Sequence, residues 1–171
     1  MNFKEKVELA WKGMKPPFKI TESNEGDEPY LLEKEFAHKP TYQELTHEFL
    51  DSSPDGYGSA LSFFAGEAFR YYIAAYMLND MEKEFDMVDV CFSLTHGLDN
   101  DSKNEKVNPL RYGEQNWFHY AQAKFSMFNK KQIECIIEYL THKCEDEASK
   151  HGIEQALENY WKPRLNELSK A

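Results

Sequence analysis

The stretch of sequence that decides the fold is ALSFFAGEAFRYYIAAYML, residues 60–78. Its apolar side chains recur at helical spacing, at Phe69, Tyr72, Ile73, Tyr76 and Met77. Other apolar residues fill the opposite side of the same helix, and Glu67 and Arg70 are the charged residues that interrupt it. A helix that is apolar nearly all round is normally enclosed by other helices. We therefore predict that residues 66–82 form the central and most buried helix of the protein.

Length and composition suit one folded domain. The chain has 171 residues, of which 41% are hydrophobic and 15% aromatic, and a chain of this size can bury a single substantial core. Amphipathic patterns of helical period flank the central stretch on both sides. We predict a mainly α fold, with residues 1–171 forming a single compact helical domain around the aromatic-rich helix.

The segment from residue 87 to residue 94 can be read in two ways. Val90 and Leu94 are spaced as on one face of a helix, whereas Val88, Val90 and Phe92 alternate as in a strand. Periodicity alone does not separate a helix from a strand in so short a run. One short strand or an irregular segment near 87–94 therefore stays open beside the helix.

Two segments carry the pattern of a helix start. Thr41 is followed three residues later by Glu44, and Asn129 is followed three residues later by Gln132. In a capping box the first side chain accepts from the backbone of the third helical residue, whose own side chain reaches back to the cap. We predict that helices begin after Thr41 and after Asn129.

The chain is acidic, and its acidity is concentrated in the middle. The net charge is −10, and residues 51–110 carry eleven Asp and Glu against four Lys and Arg. Phosphate backbones repel such a chain, so we expect no nucleic-acid partner. Two interpretations stay open: a solvated surface, which is the commoner meaning of such acidity, and a docking face for a basic protein. The candidate partner-binding residues are Asp80, Glu84, Asp86, Asp89, Asp99 and Asp101.

The sequence also predicts where the protein works. The first residues are charged and lead into an amphipathic pattern without an apolar secretory region. The apolar run in the central stretch is too short to span a bilayer, and three widely spaced cysteines suit reduced, buried thiols. We expect a cytoplasmic protein that does not bind membranes.

No pattern of residues predicts a catalytic site, a metal or a cofactor. The nearest group of metal-ligating types is Cys135, His142, Cys144 and His151. Structural zinc sites need closely spaced ligand pairs, which this group lacks. The loop that starts at Asp99 has Asn104 and Leu110 where a calcium-binding loop of the EF-hand type has Gly and Glu. We expect neither zinc nor calcium nor a cofactor to be bound.

Arg70 is a charged residue in the most apolar helix, and two interpretations of it stay open. A buried charge must be paired or must reach solvent, and Glu67 lies one helical turn earlier. The first interpretation is a structural ion pair between these two residues. The second is an anion site in which Arg70, Tyr71 and Tyr72 line an aromatic cleft.

Several motifs make the chain similar to a known family. They are Ala60-Leu61-Ser62-Phe63, Phe69-Arg70-Tyr71-Tyr72, Phe92-Ser93-Leu94-Thr95, Phe128-Asn129-Lys130-Lys131-Gln132 and Ala156-Leu157-Glu158-Asn159-Tyr160-Trp161. In these motifs the chain resembles a family of small bacterial proteins known only as a domain of unknown function. The resemblance covers most of the chain from Thr41 onward and implies the helical fold and a bacterial cytosol. It implies no activity.

Together these observations favour a non-enzymatic protein-binding domain. The concrete hypothesis is an immunity protein whose acidic face neutralises a basic toxin. The alternative hypothesis, from a different class, is a small-ligand protein or enzyme that binds an anion in an aromatic cleft around Arg70. A toxin-like gene beside this one would favour the first, and metabolic neighbours would favour the second.

Overall fold

The computed structural model describes residues 1–22, 26–39, 41–52, 59–145 and 150–170. The described residues are mainly α-helical, which confirms the predicted fold class. The chain divides into two compact units, Met1–Ser93 and Leu94–Ala171. Such a division does not by itself set the number of domains, so one domain over residues 1–171 stays a prediction.

The first unit is built around one long helix. Its α-helices are α1 (Phe3–Ala10), α2 (Asp27–Phe36), α3 (His47–Ser52), α4 (Ser59–Phe63) and α5 (Gly66–Glu82), and α6 (Val90–Thr95) begins within it. A single 3-10 turn, Tyr42–Glu44, precedes α3. The bounds of α5 are the predicted residues 66–82.

Helix α5 is enclosed as its sequence requires. Ten of its side chains are buried, and Phe69 is 1% exposed. On one side the ring of Tyr72 packs against Phe36 of α2, with ring centroids 4.8 Å apart. On another side the indole of Trp11, just after α1, donates a hydrogen bond of 2.6 Å to the backbone carbonyl of Arg70. The prediction of a buried central helix is confirmed.

The two predicted capping boxes have different outcomes. Asn129 and Gln132 form one at the start of the helix Lys130–Lys143. Thr41 forms no side-chain cap, and only the short 3-10 turn follows it, so that prediction was wrong. Helix α3 starts later, where the Thr46 hydroxyl accepts from the backbone N–H of Phe49 at 3.3 Å.

The ambiguous segment is irregular first and helical afterwards. The chain is irregular from Lys83 to Asp89, and α6 then begins at Val90. The Asp89 carboxylate accepts from the backbone N–H of Phe92 at 2.7 Å, which satisfies a donor of the first turn of α6. The helical interpretation therefore holds for Val90 and Leu94, and the strand alternative does not.

The second unit has its own aromatic core. Its helices are α7 (Pro109–Tyr112), α8 (Trp117–Phe125), α9 (Lys130–Lys143), α10 (Lys150–Ala156) and α11 (Lys162–Lys170). A π-helical turn, Leu157–Trp161, joins α10 to α11. Phe125 and Trp161 lie at the centre, with ring centroids 4.9 Å apart.

The π-helical turn holds the loop that begins at Gly97 in the second unit. The Asn159 side chain donates to the carbonyl of Leu98 at 2.9 Å and accepts from the ammonium of Lys103 at 2.9 Å. Gly97 starts the loop with φ +83°, and a Cβ there would lie 3.0 Å from the carbonyl oxygen of Trp117. The glycine therefore serves both a left-handed backbone and a close approach to α8.

We predict that removing two tyrosine hydroxyls of α5 has different effects on the stability of the protein. The Tyr76 hydroxyl is fully buried and has no hydrogen-bond partner among the described residues, whereas the Tyr71 hydroxyl accepts from the backbone N–H of Tyr42 at 3.3 Å. Tyr76→Phe should therefore leave the free energy of unfolding unchanged or raise it by about 1 kcal/mol, and Tyr71→Phe should lower it by about 1–3 kcal/mol. Urea denaturation measures both.

Removing a whole aromatic ring from α5 should lower the stability more than removing a hydroxyl does. Phe69→Ala should lower the free energy of unfolding by about 3–5 kcal/mol, the usual loss for a buried aromatic ring. A Phe69→Ala variant as stable as the wild type, or a Tyr76→Phe variant less stable than Tyr71→Phe, would contradict the packing described for α5.

Candidate functional site

Acidic side chains converge where the chain leaves α5. The Asp51 carboxylate at the end of α3 accepts from the backbone N–H groups of Asp86 and Met87, at 3.2 and 2.8 Å. These bonds join α3 to the irregular segment after α5. The His47 ring also stacks on Phe85, with centroids 4.6 Å apart.

We call the resulting patch the acidic surface. Its carboxylates are Glu48, Asp51, Glu84, Asp86 and Asp89, all exposed except the half-buried Asp51. Lys83 is a base within electrostatic reach of Glu48. Five carboxylates against one ammonium leave a strongly negative patch.

The acidic surface also carries exposed apolar side chains. Met87 is 39% exposed and Phe92 is 55% exposed. Met87 lies between Asp86 and Asp89 in the chain, and Phe92 lies in the first turn of α6, whose cap is Asp89. The acidic surface thus combines exposed carboxylates with two exposed apolar side chains.

The six acids that the sequence proposed as one face differ in burial and in hydrogen bonding. Glu84, Asp86 and Asp89 are exposed and follow one another closely in the chain, between Lys83 and Val90. Asp80 is 7% exposed, and its carboxylate accepts from the backbone N–H of Phe85 at 3.3 Å. Its role there is to turn the chain after α5.

The other two proposed acids, Asp99 and Asp101, belong to the second unit. Asp99 accepts from both the backbone N–H and the hydroxyl of Ser102, at 2.9 and 2.8 Å. Burial by itself would raise the pKa of Asp99, but these hydrogen bonds hold that pKa below its ordinary value. Asp99 thus stabilises its own loop, whereas Asp101 is exposed.

The structure places Arg70, Tyr71 and Tyr72 on different sides of α5. Tyr71 and Tyr72 are buried, and burial raises the pKa of Tyr72 to about 12, with a smaller effect of Tyr71. Arg70 is half-buried; burial lowers the pKa of its guanidinium, and the charge of Glu67 opposes that change. The two tyrosine rings belong to the core, and the anion site at Arg70 stays the untested alternative interpretation.

A cleft of about 200 Å³ lies in the first unit between α1, the 3-10 turn and α5. No sequence pattern predicts this cleft, because its walls come from three separate segments. The polar side chains that line it include Lys4, Glu8, Asn79 and Glu82.

The second unit holds a lysine in an unusual environment. Burial lowers the pKa of Lys124 in α8 to about 8. Burial also lowers the pKa of His96, and the charge of Lys124 lowers it further, while Asp99 and Glu105 act in the opposite direction. When both groups are protonated they repel each other, and sequence patterns do not reveal such a pair.

In the part of the chain that the structure describes, no three His, Cys, Asp or Glu side chains come close enough together to hold a metal ion. Within those same ranges, no helix combines the length and the apolar character needed to cross a bilayer.

Comparison with known proteins identifies one family. Residues 17–165 match the model of a family of unknown function (DUF6714). No curated protein and no solved structure matches the chain.

We predict that small anions do not bind specifically at Arg70, because Tyr71 and Tyr72 are enclosed in the core. Phosphate, sulfate, acetate and citrate should shift the melting temperature of the wild type and of Arg70→Met by the same amount, since only general salt effects act on both. A rise of several degrees with one anion in the wild type, absent from Arg70→Met, would establish the anion site instead.

Proposed function

Since the chain belongs to DUF6714, a family of unknown function, we propose a function from its own surfaces: it is a non-enzymatic protein-binding module. Its binding site is the acidic surface of the first unit, and its partner is a basic protein. The proposal rests on one observation, the exposed Met87 and Phe92 among five carboxylates.

Interface physics explains why this combination suits a protein partner. Exposed apolar side chains gain free energy when a partner removes them from water, at roughly 25 cal/mol per Å². The surrounding carboxylates attract a basic partner from a distance and orient its approach. The net charge of −10 adds to that attraction.

In its concrete form, the proposal is a bacterial immunity protein that masks a basic toxin. What supports this form is the small size and the acidic charge. Such a protein acts by covering its partner, so affinity rather than chemistry determines its effect.

The test is charge reversal on the acidic surface. Glu84→Lys/Asp86→Lys changes two exposed carboxylates whose side chains hold no structural bond in the described part of the chain. Glu28→Lys/Glu35→Lys, on the exposed side of α2, is the matched control with the same change in net charge. The probes are the purified products of the genes that flank this one, and the measurement is association and dissociation by surface plasmon resonance.

We expect one flanking product to bind the wild type and the control equally. Glu84→Lys/Asp86→Lys should weaken that binding by about tenfold or more, mainly through slower association, because the changed residues steer the encounter. Equal weakening by both charge reversals would mean that net charge alone matters, and binding of no flanking product would contradict the proposal.

A further inference from the structure

The cleft in the first unit has charged groups that nothing in the fold uses. Glu8 of α1 and Glu82 at the end of α5 both line it. Neither carboxylate takes part in a hydrogen bond or an ion pair with any residue of the described ranges. Lys4 lies on the same wall as Glu8, one helical turn earlier, so two carboxylates face one ammonium.

The Asn79 side chain in the cleft is oriented as an acceptor, and Tyr42 and Gln43 are the other polar residues that line it. The side-chain nitrogen of Asn79 donates to the backbone carbonyl of Ala75 at 2.9 Å and to that of Leu45 at 3.4 Å. Its amide oxygen is therefore the group that Asn79 can offer to a ligand. Two carboxylates and an amide oxygen favour a ligand that donates hydrogen bonds and carries positive charge.

Apolar side chains line part of the cleft, and the volume of the cleft limits the size of a ligand. Leu45, Ala75 and Leu78 contribute apolar wall. The volume of about 200 Å³ equals that of roughly seven water molecules at about 30 Å³ each, which is less than a drug-sized site needs. One extended side chain fits this space.

We propose that this cleft binds an ammonium or guanidinium group carried on an alkyl chain. The alkyl chain lies against Leu45 and Leu78, and the cationic group lies between Glu8, Glu82 and the Asn79 oxygen. Lys4 is a competing cation, so it weakens the binding that the two carboxylates provide.

The cationic group belongs to a lysine or arginine side chain of the partner protein, and this step rests on the proposed function. Continuity along the chain supports it. Glu82 directly precedes the irregular segment with Glu84 and Asp86, and Leu45 lies two residues before the start of α3. A basic protein on the acidic surface can therefore extend a side chain into the cleft.

The first experiment uses a matched pair of probes. Nα-acetyl-lysine methylamide presents the alkylammonium, and Nα-acetyl-norleucine methylamide presents an alkyl chain without the charge. Each is titrated into the full-length protein and followed by amide NMR shifts. We expect the lysine probe to shift the Asn79 side-chain amide saturably and the norleucine probe to leave it unchanged. Equal shifts from both probes would overturn the proposal.

Variants of opposite sign make the assignment specific. Glu8→Gln/Glu82→Gln should lower the affinity for the lysine probe by about tenfold, because the cleft loses two negative charges. Lys4→Ala should raise that affinity by about twofold or more, because the cleft loses a competing positive charge. Glu28→Gln/Glu35→Gln on α2 is the control and should have no effect. Unchanged binding of the lysine probe to Glu8→Gln/Glu82→Gln would overturn the site. Weaker binding of the probe to Lys4→Ala would overturn it too. The Lys4→Ala result does not depend on whether Glu8→Gln/Glu82→Gln folds stably.

The second experiment identifies the source of the cation. The flanking product that binds the wild type is measured against Glu8→Gln/Glu82→Gln. A loss of about tenfold places a partner side chain in the cleft. Unchanged partner binding, with the lysine probe lost, would overturn the partner as source and leave a free amine as the ligand. A third outcome is that Glu8→Gln/Glu82→Gln loses binding of the lysine probe while no flanking product binds the wild type. That result would refute the proposed function and leave the cation site in the cleft standing.

Discussion

An α-helix without a polar side has to be covered on every side, and α5 imposes this requirement on the first unit. Its side chains from Ala68 to Met77 are buried except Arg70. The cover comes from α1, α2 and the 3-10 turn, with Trp11, Phe36 and Tyr42 in direct contact with it. Burial of so many aromatic rings supplies most of the free energy that holds the unit together.

The same constraint decides where charged groups can lie. Toward its end α5 becomes polar, and Asp80 uses its carboxylate to turn the chain at Phe85. The residues that follow are therefore delivered to the surface next to α3. The last turn of α5 also supplies Asn79 and Glu82 to the cleft. Both candidate sites thus lie at the end of α5, where the enclosed part stops.

The sequence predicted those parts of the fold that depend on local spacing. The bounds of α5 and the capping box of Asn129 and Gln132 follow from residues a few positions apart, and both are confirmed. The pattern at Thr41 and Glu44 failed as a capping box, because only a 3-10 turn follows it. In that case tertiary packing of Tyr42 outweighed the local signal.

The candidate sites depend on contacts between distant residues, which composition does not reveal. Asp80 and Asp86 are both acids in one acidic run, yet one is buried and the other is exposed. Asp51 joins the acidic surface through bonds to residues 35 and 36 positions later. Glu8 and Glu82 meet across the cleft from opposite ends of the first unit. Sequence spacing predicts neither this difference in burial nor these contacts between distant residues.

Native-state hydrogen exchange of the α5 amides tests the central claim most directly. If enclosure of α5 holds the first unit together, the amides from Phe69 to Met77 should exchange only when the whole unit unfolds. Their exchange free energies should then equal one another and equal the free energy of unfolding measured with urea. Exchange of these amides several kcal/mol below that value, through local opening of α5, would contradict the account.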